Sequence, residues 1–165
     1  MGRLNRYLDF GSRKLVRSWI RLEEPQEIPW APLRKPLAES TVALVSTAGL
    51  ALAGDIPFDQ EGERRDPWWG DPSHRIIPKT ATAPDVEIHH LHIDPAFAKR
   101  DINCLLPLQR LIELEEANEI GEVAESHYSL MGYLLQPQEM LEQSIPAIIQ
   151  QMMDEQVDVV ILIPI

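Results

Sequence analysis

Residues 157–165 read Val-Asp-Val-Val-Ile-Leu-Ile-Pro-Ile, a run of β-branched and aliphatic residues carrying one charge, Asp158. Such a run fits a strand buried on both faces of a parallel sheet. In open α/β sheets, ligands bind just past the carboxyl ends of strands of this kind. The run closes the sequence, so a functional loop is expected to begin where these residues end.

The rest of the chain supplies the other layers of such a fold. Apolar residues Leu4, Tyr7, Leu8, Leu15, Val16, Trp19 and Ile20 recur at helical spacing, so residues 1–22 read as a basic amphipathic helix. Pro25, Pro29, Pro32 and Pro36 make residues 23–39 an extended connector, because proline bars regular helix. Residues 40–47 read as a first strand, ended by a turn at Ala48-Gly49 that would offer backbone N–H groups to a ligand. Residues 54–82 hold Pro57, Pro67, Pro72, Pro78 and the pair Trp68-Trp69. A loop of that length is uncommon unless functional, and adjacent tryptophans are expected to fold back over something apolar. Val86–Asp94 reads as a second strand, 105–119 as a helix capped by Gly121, and 122–126 as a third strand. A last helix over 137–155 carries a kink at Pro146 and leads into the terminal strand. This order implies an α/β fold with a largely parallel sheet flanked by helices, incomplete at the C-terminus. Residues 40–165 are accordingly expected to be the N-terminal portion of a larger domain.

Charge narrows the partners. The net charge is −11, yet residues 1–21 hold six of the fifteen Lys/Arg and residues 101–165 hold twelve acids against Arg110 alone. An acidic body argues against nucleic acid, which needs a basic footprint. The basic residues 1–22 fit the outer face of a surface helix, and membrane contact by them stays open. No apolar run is long enough to span a bilayer and no secretory signal is visible, so a cytoplasmic location is expected. The single cysteine, Cys104, excludes an internal disulfide and is expected to be a small buried hydrophobe.

Chemistry-bearing residues cluster in His89-His90-Leu91-His92-Ile93-Asp94. On a strand, His90 and His92 would share a face and, with Asp94, form the start of a metal site. No Cys-x-x-Cys or His-Glu-x-x-His pattern completes one, so no metal is assigned. Asp101 and Asn103 precede a helix, where capping is the ordinary role. His127 and Ser129 follow a strand, but no Gly-x-Ser-x-Gly elbow accompanies them.

Several stretches, in order and spacing, resemble the selenoprotein B family of glycine, sarcosine, betaine and D-proline reductases. They are Trp30-Ala31-Pro32-Leu33, Lys35-Pro36-Leu37, Val42 to Gly49, Gly70 to Pro78, His90 to Asp94, Asp101-Ile102-Asn103, Pro107 to Leu111, His127 to Tyr133 and Val157 to Pro164. The resemblance covers about residues 30–165. It implies a selenol- or thiol-dependent oxidoreductase that cleaves a C–N bond of an amino-acid-derived small molecule. It further implies a selenocysteine, or cysteine, following the strand that here ends at Ile165. A partner subunit would carry a pyruvoyl group holding the amine as an imine, and thiols or a thioredoxin-like reductant would regenerate the selenol. A low-pKa chalcogen suits this work because more of it is anionic at neutral pH.

The chain itself contains no selenocysteine, so the resemblance carries no catalytic residue onto it. A UGA codon read as a stop would produce such a sequence. His92, Asp94, Asp101, Asn103 and His127 match recurrent positions and are the pocket candidates, to orient a substrate carboxylate or move protons. The alternatives are a non-catalytic binding or assembly subunit lacking the redox residue, and a metal-dependent enzyme using His90, His92 and Asp94. Apolar surface left open on a half-covered sheet is expected to make the protein marginally stable or oligomeric.

Overall fold

The computed structural model describes residue 18 and residues 29–66 and 68–165. The expected helix over 1–22, Ser18 apart, and residues 23–28 of the connector lie outside the described residues. The chain divides into two units, Met1–Pro32 and Leu33–Ile165, and every element named below belongs to the second.

At the centre is β1 (Thr41–Ser46), whose residues Val42 to Ser46 are all buried. On one edge it pairs in parallel with β5 (Glu122–Val123) and then with β6 (Ser126–Ser129). On the other edge it pairs in parallel with β7 (Val159–Ile163). Outside β6 lies β3 (Arg75–Pro78), which runs antiparallel to it. A separate antiparallel ribbon joins β2 (Leu50–Leu52) to β4 (Val86–Ile88). The sheet is therefore mixed rather than largely parallel. Among the described residues, the segment between β2 and β3 holds no helix of more than six residues, too short for a crossover that would fix the direction of β3.

Alternation along β1 explains why both faces need cover. Val42 and Leu44 point into a core shared with Leu105, Leu106, Leu108 and Leu111 of helix α2 (Leu108–Glu116) and the turn before it. Val45 points the other way, into a cluster with Tyr128, Leu130 and Ile148 of helix α3 (Ile145–Asp154). Burying a side chain such as Leu44 contributes about 1.5–3 kcal/mol. The start of the strand is pinned by Asp158, whose Oδ2 accepts from Thr41 N–H at 2.8 Å and pairs with Lys35 Nζ at 2.6 Å.

The expected kink takes a specific form. Pro146 has no N–H to continue the helical ladder, and the turns before it, Met140–Ser144, widen so that Ile145 N–H reaches Met140 O. Helix α2 ends earlier than its sequence suggested. Its chain reversal uses Asn118, at φ 58°, rather than Gly121. Gly121 instead lies against the Glu39 and Ser40 backbone, where a Cβ would come within 2.7 Å. Gln156, at φ 56°, makes the equivalent reversal after α3.

Two expectations about burial are corrected. Cys104 is exposed, because it sits in a short helical turn (Ile102–Cys104) rather than inside the apolar run. And β7 is not buried on both faces: among the described residues it pairs with β1 alone, and Val160, Ile161 and Leu162 are 39%, 40% and 70% exposed. Leu141, in the widened turns before α3, and Ile149 and Met153 on α3 are also exposed. Replacing Leu162 by Lys is expected to change the unfolding free energy by no more than about 0.5 kcal/mol while reducing light scattering of concentrated protein. Denaturant melts and static scattering, compared with the unsubstituted chain, check this.

Candidate functional site

The carboxyl ends of β1, β6 and β7 converge on Thr47, Gly49, Gly132 and Ile165. Thr47 N–H donates to Ile163 O at 3.1 Å, and Ile165 N–H donates to Thr47 Oγ1 at 2.8 Å. A Cβ on Gly132 would lie 2.8 Å from Thr47 O and 2.9 Å from Ile165 O, so only glycine fits there. Gly49 takes φ 62°, but its N–H does not face a ligand: it donates to Leu130 O at 2.9 Å, while Gly49 O accepts from His89 N–H at 2.8 Å. The Ser129 hydroxyl is likewise engaged, accepting from Leu50 N–H at 2.7 Å.

The histidine segment is not the continuous strand its alternation suggested. Regular pairing stops at Ile88, and residues 89–94 turn over the strand ends. Turning brings His90 and His92 together more closely than a shared strand face requires: their rings meet edge-on at 5.9 Å, and His90 Nδ1 accepts from His92 N–H at 3.1 Å. His92 Nε2 lies 2.6 Å from Glu63 Oε1, and its ring packs on Tyr133 at 4.2 Å. Burial, then the neighbouring His92, hold His90 below the ordinary histidine range, against the pull of Glu63. Asp94 accepts from Ala96 N–H in the next turn.

Glu63 comes from the segment that looked patternless. Helix α1 (Gln60–Arg65) starts on Asp59, whose side chain accepts from Gly62 N–H at 2.8 Å. Asp71 secures the segment by accepting from the N–H groups of Asp59 and Ser73. Arg75 adds bonds to Ile56 O and Pro57 O and lies 4.3 Å over the Phe58 ring. Of the tryptophan pair, Trp69 folds back over Gly62, while Trp68 is 68% exposed. Gly70 abuts Tyr133, where a Cβ would fall 2.0 Å from its carbonyl oxygen. Sequence reasoning missed Glu63 because a carboxylate in Glu-Gly-Glu-Arg-Arg reads as solvated, whereas it is 4% exposed.

A concavity of about 600 Å³ lies between β4, the turns at 81–84 and the start of α2. Asp101, Asn103, Lys99 and Arg100 line it; His92, Asp94 and His127 do not. Asp101 accepts from both nitrogens of Asn103, which keeps its carboxyl below the usual range. The five sequence candidates thus fall in different places. Among the described residues, no three His, Cys, Asp or Glu side chains converge as a metal's donor set would.

The profile described as Glycine/sarcosine/betaine reductase selenoprotein B matches residues 17–164. The chain belongs to this family. It is 32% identical over 133 residues to the D-proline reductase subunit gamma of Acetoanaerobium sticklandii, covering 81% of this chain and 52% of that one. It is 29% identical over 105 residues to the glycine reductase complex component B subunit gamma of Carboxydothermus hydrogenoformans, covering 64% and 23%. The chain thus spans about half the length of the first relative and about a quarter of the second. No solved structure matches it.

In this selenoprotein B family chain, His127 sits inside the sheet rather than at its mouth. It is 0% exposed, and its Nδ1 accepts from Leu44 N–H at 3.0 Å. The proton of the neutral ring is therefore on Nε2, which is buried without a partner. Burial pushes His127 down to about 4; Lys79 adds to the shift and Glu155 opposes it. Protonation would remove the acceptor that Leu44 uses. The unfolded chain takes up this proton near 6.5 and the folded chain only near 4. The stabilisation is therefore complete above 6.5 and is lost as pH falls through 4, by up to roughly 3 kcal/mol. Urea unfolding at stepped pH is expected to show this slope, and His127→Leu is expected to flatten it.

Among the described residues, no helix is long and apolar enough to cross a membrane.

Proposed function

We propose that this chain is part of a reductase that cleaves a C–N bond of an amino-acid-derived molecule, of the glycine, sarcosine, betaine or D-proline kind. The family match over residues 17–164 carries this reading. Two relatives whose names describe subunits of D-proline and glycine reductases support it. So does the position of the strand ends, which would present a redox residue beside His92 and Glu63. The chain's own cysteine, Cys104, is exposed on the turn that borders the 600 Å³ concavity, and no residue of the 165 is a selenocysteine. The chalcogen would follow the strand end at Ile165, and a pyruvoyl-bearing subunit and a thioredoxin-like reductant would act with it.

His92 would handle protons at the strand ends, while Lys99, Arg100, Asp101 and Asn103 line a separate cleft of about 600 Å³ that takes no part in that step. The open apolar surface of β7 and α3 favours a subunit that works in an assembly, and it equally suits the second reading, a binding or assembly subunit without redox chemistry of its own. The complete gene product, made with selenocysteine insertion and mixed with the partner subunits of a glycine or D-proline reductase, separates the two. Dithiol-dependent turnover of one of the four substrates is expected. Stable co-assembly without turnover would establish the assembly subunit instead.

A further inference from the structure

The Glu63–His92 contact has the features of a proton-transfer site more than of a structural ion pair. Glu63 is 4% exposed, and only one of its oxygens is used: Oε1 meets His92 Nε2 at 2.6 Å, while Oε2 is buried without a partner. A carboxylate buried for stability alone would be satisfied on both oxygens, because an unmet one carries the full cost of desolvation. Nearby His90 Nε2 is also buried without a partner. Two unmet polar atoms around one imidazole mark a place built to receive a polar group.

The imidazole is presented asymmetrically. The His92 side chain is 50% exposed although its Nε2 is held by a nearly inaccessible carboxylate. Nε2 is engaged, so Nδ1 is the nitrogen a ligand can reach. Tyr133 fixes the ring plane from one side, and His90, through its bond from His92 N–H, fixes the turn beneath it. A buried carboxylate on one nitrogen and an accessible second nitrogen is the arrangement that sets the tautomer. Tyr133 follows Gly132, so the pair stands beside the converging strand ends.

We propose that Glu63 and His92 form an acid–base pair that exchanges a proton at His92 Nδ1 with the nitrogen of a small amine-bearing ligand bound at the strand ends. This role rests on the reductase reading above. In that reaction a chalcogenolate nucleophile supplies the electron pair of the new bond to carbon. His92 Nδ1, bare in the resting ring, first takes up a proton from solvent; the C–N bond then breaks with its pair remaining on nitrogen, and Nδ1 passes that proton to the nitrogen while Nε2–H stays on Glu63. His92 is then the catalytic residue and Glu63 its positioning residue.

Carbethoxylation by diethyl pyrocarbonate at pH 8 tests the pair on the chain itself. The reagent reports the nucleophilicity of an accessible imidazole nitrogen, and His92 is the exposed histidine among the five. Peptide mapping is expected to place the fastest label on His92. Glu63→Gln keeps the side-chain size and is expected to slow that label severalfold at unchanged thermal stability. An unchanged rate would overturn the proposal. Should the variant not fold, 15N spectra of the unsubstituted imidazoles decide: a proton on Nε2 and a bare Nδ1 support the pair, and a proton on Nδ1 overturns it. In the assembled reductase, His92→Gln is expected to lower kcat on the order of 10²-fold or more with KM little changed. A wild-type assembly without turnover would refute the reductase reading while the labelling still judges the pair.

Discussion

The sheet depends on a backbone amide that strand pairing leaves over. Val42 lies opposite Val123, yet Val45 lies opposite Tyr128, so three steps along β1 meet five along its neighbour. The surplus opens a gap in the ladder between β5 and β6, and Leu44 N–H falls into it. The His127 ring supplies the missing acceptor. An unmet amide in the centre of a fully buried strand would cost about 1–3 kcal/mol. With the gap closed, β1 keeps partners on both edges, and the helices on its two faces have a regular surface to pack on.

The site inherits its order from this frame and from the segment folded over it. The strand ends fix Thr47, Gly132 and Ile165, and the histidine turn hangs from Gly49. Asp71 and Arg75 anchor the segment that brings α1, and hence Glu63, up to His92. The sequence-distant residues Glu63, His92 and Tyr133 therefore meet because each element end has few places to go, not because any local pattern pairs them.

What was legible in the sequence follows from the range of the forces involved. Hydrophobic period and turn chemistry act locally, so β1, α2, α3 and β7 were readable, as was the effect of Pro146. The antiparallel entry of β3 was not, because nothing in Arg-Ile-Ile-Pro specifies a neighbour. His90 and His92 were singled out for the wrong geometry: alternation predicted a strand, and a turn brought them together. His127 followed a strand as site residues do, but a gap in the ladder drew it inside. Cys104 sat at the edge of an apolar run, and the turn at Ile102–Cys104 faced it outward. Glu63 carried no signal at all, since its burial depends on contacts made across the fold.

The open edge of β7 also bears on symmetry. Two identical copies related by a two-fold axis can zip together along that edge only with their strands running in opposite directions. The other side of β7 already runs parallel to β1. Continuing that parallel order with like copies would need a repeating, head-to-tail contact that never closes, whereas an unlike chain could complete it once and stop.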